Sequence, residues 1–339
     1  MLRSFFISLS KAKQAQSLIM NSRLAWRAAG RFIAGVEPDD AIRVVRDLNA
    51  RHIMASLDHL GENTENVDDS IQATSDILAL IDLIAARQVV ANVSIKLSQI
   101  GMGLSDDICQ QNLKRILDKA RQNKNFIRLD MEESRLVNRT LAIYQAMRTA
   151  GYDNVGVVIQ AYLYRSEKDI LSLLDQDTRI RLCKGAYQEP ASLAFPVKAD
   201  VDSNYDHLVR HLMDHALTLY HPDQPDNPYF PRLPAIATHD QARIDHALNY
   251  AASIGLPKEA FEFQMLYGIR RDLQESLVRD GYRVRVYVPF GKRWYPYFMR
   301  RLAERPENIW FFISNFFQTR RVEVRTNSAA RMATRRWIY

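Results

Sequence analysis

Eight short runs of β-branched and apolar residues mark the middle of the chain, each followed by a stretch with apolar positions at helical spacing. They are Ile53–Leu57, Val93–Leu97, Ile127–Met131, Val155–Ala161, Ile180–Cys183, Ala235–Thr238, Phe261–Leu266 and Val284–Val288. Strand and helix alternating in this way predict parallel βαβ units, and eight such units close into a barrel. The expected fold class is α/β, a (βα)8 barrel of the TIM type with N-terminal helices packed on it. An open doubly wound sheet is disfavoured, because no Gly-x-Gly-x-x-Gly follows the first strand. The expected division is an N-terminal helical segment over residues 1–45, the barrel over 46–317 and a basic tail over 318–339.

Composition narrows the class. With 339 residues, 47% of them hydrophobic, the chain can bury a large core. Its two cysteines, Cys109 and Cys183, are far apart and form no CxxC, so a reducing cytoplasm is expected and no disulfide framework. The formal net charge of +7 belongs to the ends. Residues 1–36 carry six basic side chains and no acid, and 305–339 carry seven arginines against Glu307 and Glu323. The body between them is slightly acidic. Basic ends suit an anionic membrane surface or nucleic acid, and equally suit solvated helix faces. An acid-free, Arg-rich start also fits a transit peptide. A docking helix is preferred, because the pattern runs unbroken into Glu37-Pro38-Asp39-Asp40, a helix start. No apolar stretch reaches the ~20 residues of a spanning helix, and no groove-reading motif for nucleic acid is present.

One polar stripe invites a metal. His207, His211 and His215 share a helix face at i, i+4, i+8, but no HExxH accompanies them and Asp214 lies off the stripe. The expectation is a polar helix face and no metal.

Function in such a barrel gathers at the C-terminal ends of the strands. Lys96 ends the second strand, Asp130, Glu132 and Glu133 follow the third, and Gln160 ends the fourth. Arg181, Cys183, Lys184, Gly185, Ala186 and Tyr187 close the fifth, Thr238 and His239 the sixth, and Leu266 the seventh. Polar groups on otherwise apolar strands are costly to bury unpaired, so a run of them suggests a polar ligand in the barrel mouth. Arg181 and Lys184 supply positive charge suited to a pyrophosphate, and Gly185 lets backbone approach it. After the last strand, with Tyr287 at its centre, a helix begins near Trp294. There Tyr297, Arg300, Arg301 and Glu304 fall within one sector of about 100°. Spacing alone leaves two readings: an arginine fork for a carboxylate, steadied by Glu304, or a surface ion pair worth ~0.3–0.5 kcal/mol.

Eight segments in order resemble the proline dehydrogenase family: SLDHLGENTEN, VSIKLSQIG, IRLDMEES, VVIQAYLYRS, IRLCKGAYQEP, ATHD, FEFQMLYGIRRDL and YVPFGKRWYPYFMRRLAERPEN. The resemblance covers about residues 23–317 and implies a flavin enzyme oxidising L-proline to Δ1-pyrroline-5-carboxylate, the first step of proline catabolism. It implies that Arg300 and Arg301 bind the substrate carboxylate with support from Glu304. Tyr287, Tyr297 and Leu266 would wall the pyrrolidine ring, with Lys96 and Asp130 nearby. Noncovalent FAD would be held through Gln160, Arg181, Cys183, Lys184, Gly185, Ala186, Tyr187, Thr238 and His239. Cys183 stands where the family usually has a small β-branched residue.

The resemblance further implies a quinone as electron acceptor and a peripheral position on the inner face of the cell membrane. A pyrroline-5-carboxylate dehydrogenase on a separate chain would take the product. The aromatic run Ile309–Ile313, with Trp337 and Tyr339, suits surface docking or a buried closing segment. The rival substrate is a related cyclic imino acid such as hydroxyproline.

Overall fold

A computed structural model describes residues 26–27, 29–174, 178–223 and 227–304, without the side chains of 302–304. Residues 1–25 of the basic N-terminal segment, the basic stretch after residue 304 and the aromatic run after residue 308 lie outside the described residues.

The chain enters through α1 (Pro38–Asn49), where Pro38 occupies the first turn and Asp40 closes a capping box with Glu37. Eight strands follow: β1 (Met54–His59), β2 (Ala91–Ile95), β3 (Ile127–Leu129), β4 (Val155–Gln160), β5 (Ile180–Cys183), β6 (Ala235–Ala237), β7 (Glu262–Leu266) and β8 (Arg283–Phe290). Each expected run overlaps one of them, with β1 and β8 running past the expected ends and β2 starting two residues earlier than expected. Between them lie α2 (Val67–Arg87), α3 (Asp106–Gln122), α4 (Ser134–Thr149), α5 (Ser166–Leu174), α6 (Lys198–Leu219), α7 (Gln241–Ile254) and α8 (Arg271–Arg279). Every strand pairs in parallel with its sequence neighbours, and β8 pairs with β1, so the sheet closes as a barrel. Short polar side chains start several helices: Asn66 accepts from the Asp69 amide, Ser105 from Asp107 and Asp240 from Ala242.

Alternation along the strands sorts the residues. Leu57, Val93, Ile127, Leu129, Val157, Leu182, Phe263 and Val286 join Ile77, Ile81, Leu113 and Leu212 of the helices in one apolar core. The opposite parity carries Ser56, Asp58, Ser94, Arg128, Arg181, Glu262, Gln264 and Arg285, all buried. Arg181 on β5 reaches Ser56 on β1 and Ser94 on β2, which are not its neighbours. These bonds therefore cross the barrel interior.

Contacts gather the described chain into two units, one spanning Ala34–Lys292 and the other made of 26–33 with 293–304. In the second, α9 (Trp294–Glu304) carries an aromatic cluster. Trp294 meets Trp26 edge-on at 5.4 Å and Phe298 at 5.8 Å, while Phe298 lies 6.5 Å from Phe32. α1 packs on β1 and β8 and belongs to the barrel unit. Among the described residues no helix is long and apolar enough to cross a membrane.

Candidate active site

Two layers of polar side chains fill the barrel. In the lower one Arg285 pairs with Glu262 at 2.9 Å, both fully buried, and Arg285 also donates to the Ala55 and Pro228 carbonyls. Gln264 bonds Glu262 from above, and Arg128 donates to the Val157 and Arg179 carbonyls. Burial raises the cost of charging Glu262, but Arg285 and the bonds from Arg285 and Gln264 leave its carboxyl below the usual range.

Toward the C-terminal ends of the strands the network changes character. Arg181 donates to Asp130 at 2.8 Å, to Gln264 and to both serines, and its guanidinium lies 5.3 Å from the centre of the Tyr287 ring. The Tyr287 hydroxyl lies 2.6 Å from Asp58 and 2.7 Å from Asp130, one proton set between two carboxylates. Lys96 donates to Asp58 at 3.1 Å and stands 3.8 Å from Asp130. Burial alone would favour neutral Lys96, yet Asp58 and Asp130, with Glu62 and Tyr187 further off, raise its pKa and keep it charged. Burial, then Asp130 and Asp58, pushes the Tyr287 phenol well up, so it stays a donor. Asp58 Oδ1 is buried with no hydrogen-bond partner among the described residues.

Lys96, Asp130 and Tyr287, expected from sequence, thus converge. Asp58 was missed because the first predicted strand was ended at Leu57. A carboxylate one residue further, at the inward parity of Ser56, was the available signal.

The carboxylates after β3 do not act as one cluster. Asp130 points into the barrel network, and Glu132 accepts from the Ser98 amide and hydroxyl. Burial shifts the Glu132 carboxyl upward despite those bonds. Glu133 pairs at the surface with Arg135. The strand-end polarity therefore needs correcting as an argument: much of it is satisfied internally, not reserved for a ligand, because buried charges require partners.

The residues expected at a cofactor fall at the ends of β4, β5 and β6. Gln160 uses its amide to donate to the Glu132 carbonyl. Arg181 is 6% exposed and engaged as above, so it lies inside the network and not at an open rim. Lys184 bonds Asp202 and Asp240, and its ammonium holds both carboxyls below their usual range against the opposing effect of burial. The Cys183 thiol donates to the Ile159 carbonyl, and burial pushes its pKa up to about 12, so it is no thiolate.

Gly185 has φ +110°, and a Cβ there would fall 2.2 Å from the Tyr162 ring. The turn therefore requires glycine, and it presents exposed Ala186 and half-buried Tyr187. Thr238 is buried, its hydroxyl accepting from the Asp240 amide. His239 Nε2 accepts from the Leu266 amide at 2.8 Å, which leaves Nδ1 as the protonated donor of the neutral ring. A close-approach glycine turn, a hydroxyl, an imidazole donor and the Lys184 cation are chemically suited to a dinucleotide's phosphates and ring edge.

Leu266 is half-buried at the end of β7. On α9, Tyr297 is buried, Arg300 and Arg301 are half-buried, and the Arg301 guanidinium lies 5.2 Å from the centre of the Tyr297 ring. The Glu304 side chain, and with it the choice between fork and surface pair, lies outside the described residues.

A closed parallel barrel whose polar interior rises to a charged cluster at its C-terminal end defines an enzyme of the (βα)8 class. The family profile described as Proline dehydrogenase matches residues 41–312. "Proline dehydrogenase 2" of Bacillus subtilis (strain 168) is 39% identical over 312 residues, 91% of this chain and 96% of that protein. "Proline dehydrogenase" of Deinococcus radiodurans is 40% identical over 315 residues, with the same two coverages, 91% and 96%.

Among solved structures, proline utilization A from Bdellovibrio bacteriovorus, inactivated by N-propargylglycine, superposes with TM-score 0.74 at 26% identity. That match covers 86% of this chain and 34% of the larger one. Proline utilization A of Bradyrhizobium japonicum matches in fold, with TM-score 0.66 at 23% identity over 83% of this chain and 31% of that one. This chain spans about a third of the length of those two solved proteins. The chain belongs to the proline dehydrogenase family, oxidoreductases acting on the CH–NH group of their donors.

Proposed function

We propose that this protein oxidises L-proline to Δ1-pyrroline-5-carboxylate with noncovalently bound FAD and passes the electrons to a quinone. The relatives that it spans almost end to end carry the name proline dehydrogenase alone, which supports the substrate. The observation that carries the reading is the cluster of Asp58, Lys96, Asp130 and Tyr287, buried, charged and incompletely paired at the functional end of the barrel.

In this reading FAD supplies the hydride acceptor, a role that no side chain can fill. Gly185, Ala186, Tyr187, Thr238, His239 and Lys184 hold it, with Gln160, Arg181 and Cys183 shaping the ends of β4 and β5 beneath. Arg300 and Arg301 take the substrate carboxylate, with Glu304 supporting them, and Tyr287, Tyr297 and Leu266 wall the pyrrolidine ring. Asp58 Oδ1, an acceptor without a donor, suits the N–H of the substrate amine. Lys96 and Arg181 hold Asp58 and Asp130 in place, so the ring meets a preset field and not a reorganising one. The reaction is the first step of proline catabolism, its product passing to a pyrroline-5-carboxylate dehydrogenase on another chain. The basic ends of the chain favour a peripheral site on the inner face of the cell membrane.

The test is direct. Purified protein should be yellow, and anaerobic L-proline but not D-proline should bleach it, with a soluble quinone restoring the colour. Colourless protein that takes up no FAD, or a flavin indifferent to L-proline, overturns the proposal.

A further inference from the structure

Away from the barrel interior, α5 and α6 bring together three groups that only the fold unites. Glu167 stands in the first turn of α5, and His207 and His211 lie one turn apart on α6. His207 Nε2 is 2.7 Å from Glu167 Oε1, His211 Nε2 is 3.3 Å from the same oxygen, and the two nitrogens are 3.2 Å apart. The rings stand at 85° with centroids 4.6 Å apart, so both Nε2 atoms converge on one point.

Protons cannot satisfy this triangle. Each nitrogen carries either one proton or one lone pair, so at most two of the three contacts can be hydrogen bonds. If both rings donate to Glu167, the N–H groups oppose each other across the third edge. One cation serves all three. Tetrahedral Zn²⁺ with ligands at about 2.0–2.1 Å holds them about 3.3 Å apart, close to the two longer edges. The frame is already fixed: Asn204, one turn before His207, donates to Ala161 O at 2.7 Å and to Ser166 Oγ at 3.1 Å, beside Glu167.

We propose that Glu167, His207 and His211 form a binding site for a divalent transition cation of the Zn²⁺ type, clipping α5 to α6. Two imidazoles and a carboxylate select Zn²⁺, Co²⁺, Ni²⁺ or Cu²⁺ over Mg²⁺ or Ca²⁺. Water takes the fourth position, since the three side chains are 35–47% exposed. From sequence the stripe read as a polar face; the missing ligand was Glu167, on another helix 40 residues away from His207.

The experiment uses the full chain, without a histidine tag and stripped with a chelator. Zinc sulfate is titrated calorimetrically, and cobalt chloride is added while visible absorption is recorded. One Zn²⁺ per chain, a raised Tm and the visible bands of four-coordinate Co²⁺ are expected. H207A/H211A should lose the binding and the Tm response, and Glu167→Gln should weaken the affinity at least about tenfold, 1.4 kcal/mol. Circular dichroism checks that the variants fold, as substitution at such exposed positions allows. Proline oxidation per bound flavin should not change on stripping, which separates this site from the barrel. Absence of zinc uptake, or uptake undiminished in H207A/H211A, overturns the proposal.

Discussion

The Arg285–Glu262 pair low in the barrel and the Asp58, Lys96, Asp130 and Tyr287 cluster above it hold similar residues and differ in how completely those residues are paired. Arg285 and Glu262 answer each other at the bottom, with backbone carbonyls and Gln264 absorbing what remains. Above them, one phenol proton faces two carboxylates, one lysine serves both, and Asp58 keeps a buried oxygen without a donor. A closed pair holds a fold together, whereas an open one retains affinity for something that arrives later. Burial of charge alone therefore does not mark a functional site, and neither does one unpaired atom, since Arg128 keeps Nε and Nη2 buried without partners among the described residues. What sets the upper cluster apart is that its shared phenol, its lysine and its open carboxylate oxygen meet at the C-terminal ends of the strands.

The largest effect should come from breaking the closed pair. Arg285→Met leaves Glu262 buried and uncompensated and is expected to cost about 3–5 kcal/mol in urea unfolding. Replacing both partners by methionine should recover most of that loss. A double variant as unstable as the single one would mean that the lower layer is not a self-contained pair. Lys96→Met tests the upper layer with the opposite expectation. Here kcat/KM for proline should fall about 100-fold, ~2.7 kcal/mol, with flavin content retained. Loss of stability with unchanged turnover per folded molecule would make the upper cluster structural as well.

Sequence revealed the two layers unequally. The eight strands were legible because a buried parallel strand needs a short apolar run and a helix after it. Inward polar positions such as Arg285 and Glu262 were visible as residues, but their pairing was not. It depends on the register of β8 on β7, where Glu262 stands opposite Arg283 and Gln264 opposite Arg285, and on the diagonal reach of the Arg285 side chain, neither of which periodicity encodes. Arg181 shows the limit plainly. At a strand end it reads as a phosphate ligand, yet the structure places its guanidinium among Asp130, Gln264 and two serines. Asp58 escaped through a boundary error of one residue, and Glu167 because its partners lie on another helix.

A smaller effect should follow from Tyr287→Phe, which removes one hydroxyl shared by Asp58 and Asp130. A hydrogen bond to a charged group contributes about 1.5–3 kcal/mol, so kcat/KM should fall about tenfold to a hundredfold. Tyr287→Ser should in addition relax discrimination. The ratio of hydroxyproline to proline oxidation should rise, because the phenol that fills the site is replaced by a short hydroxyl. An unchanged ratio would remove Tyr287 from the substrate wall.

The smallest effect is in the pH dependence of stability, where two buried glutamates should act with opposite sign. Glu262 has its pKa lowered by Arg285 against burial, so its contribution is present above the unfolded value of about 4.3 and is lost as pH falls through the folded one. Glu132 has its pKa raised by burial against the Ser98 bonds. Its contribution is present below about 4.3 and is lost as pH rises through its folded value. Glu262→Gln should therefore make the acid limb of the stability curve shallower below about pH 4.3. Glu132→Gln should steepen the rise of stability with pH just above it, because the proton that the folded state retains there is removed. Slopes are the readout, since either substitution can shift the absolute stability. Parallel slopes for both variants and the parent would mean that neither carboxyl titrates differently in the folded protein, and the contrast between a charge-paired and a hydroxyl-held glutamate would collapse.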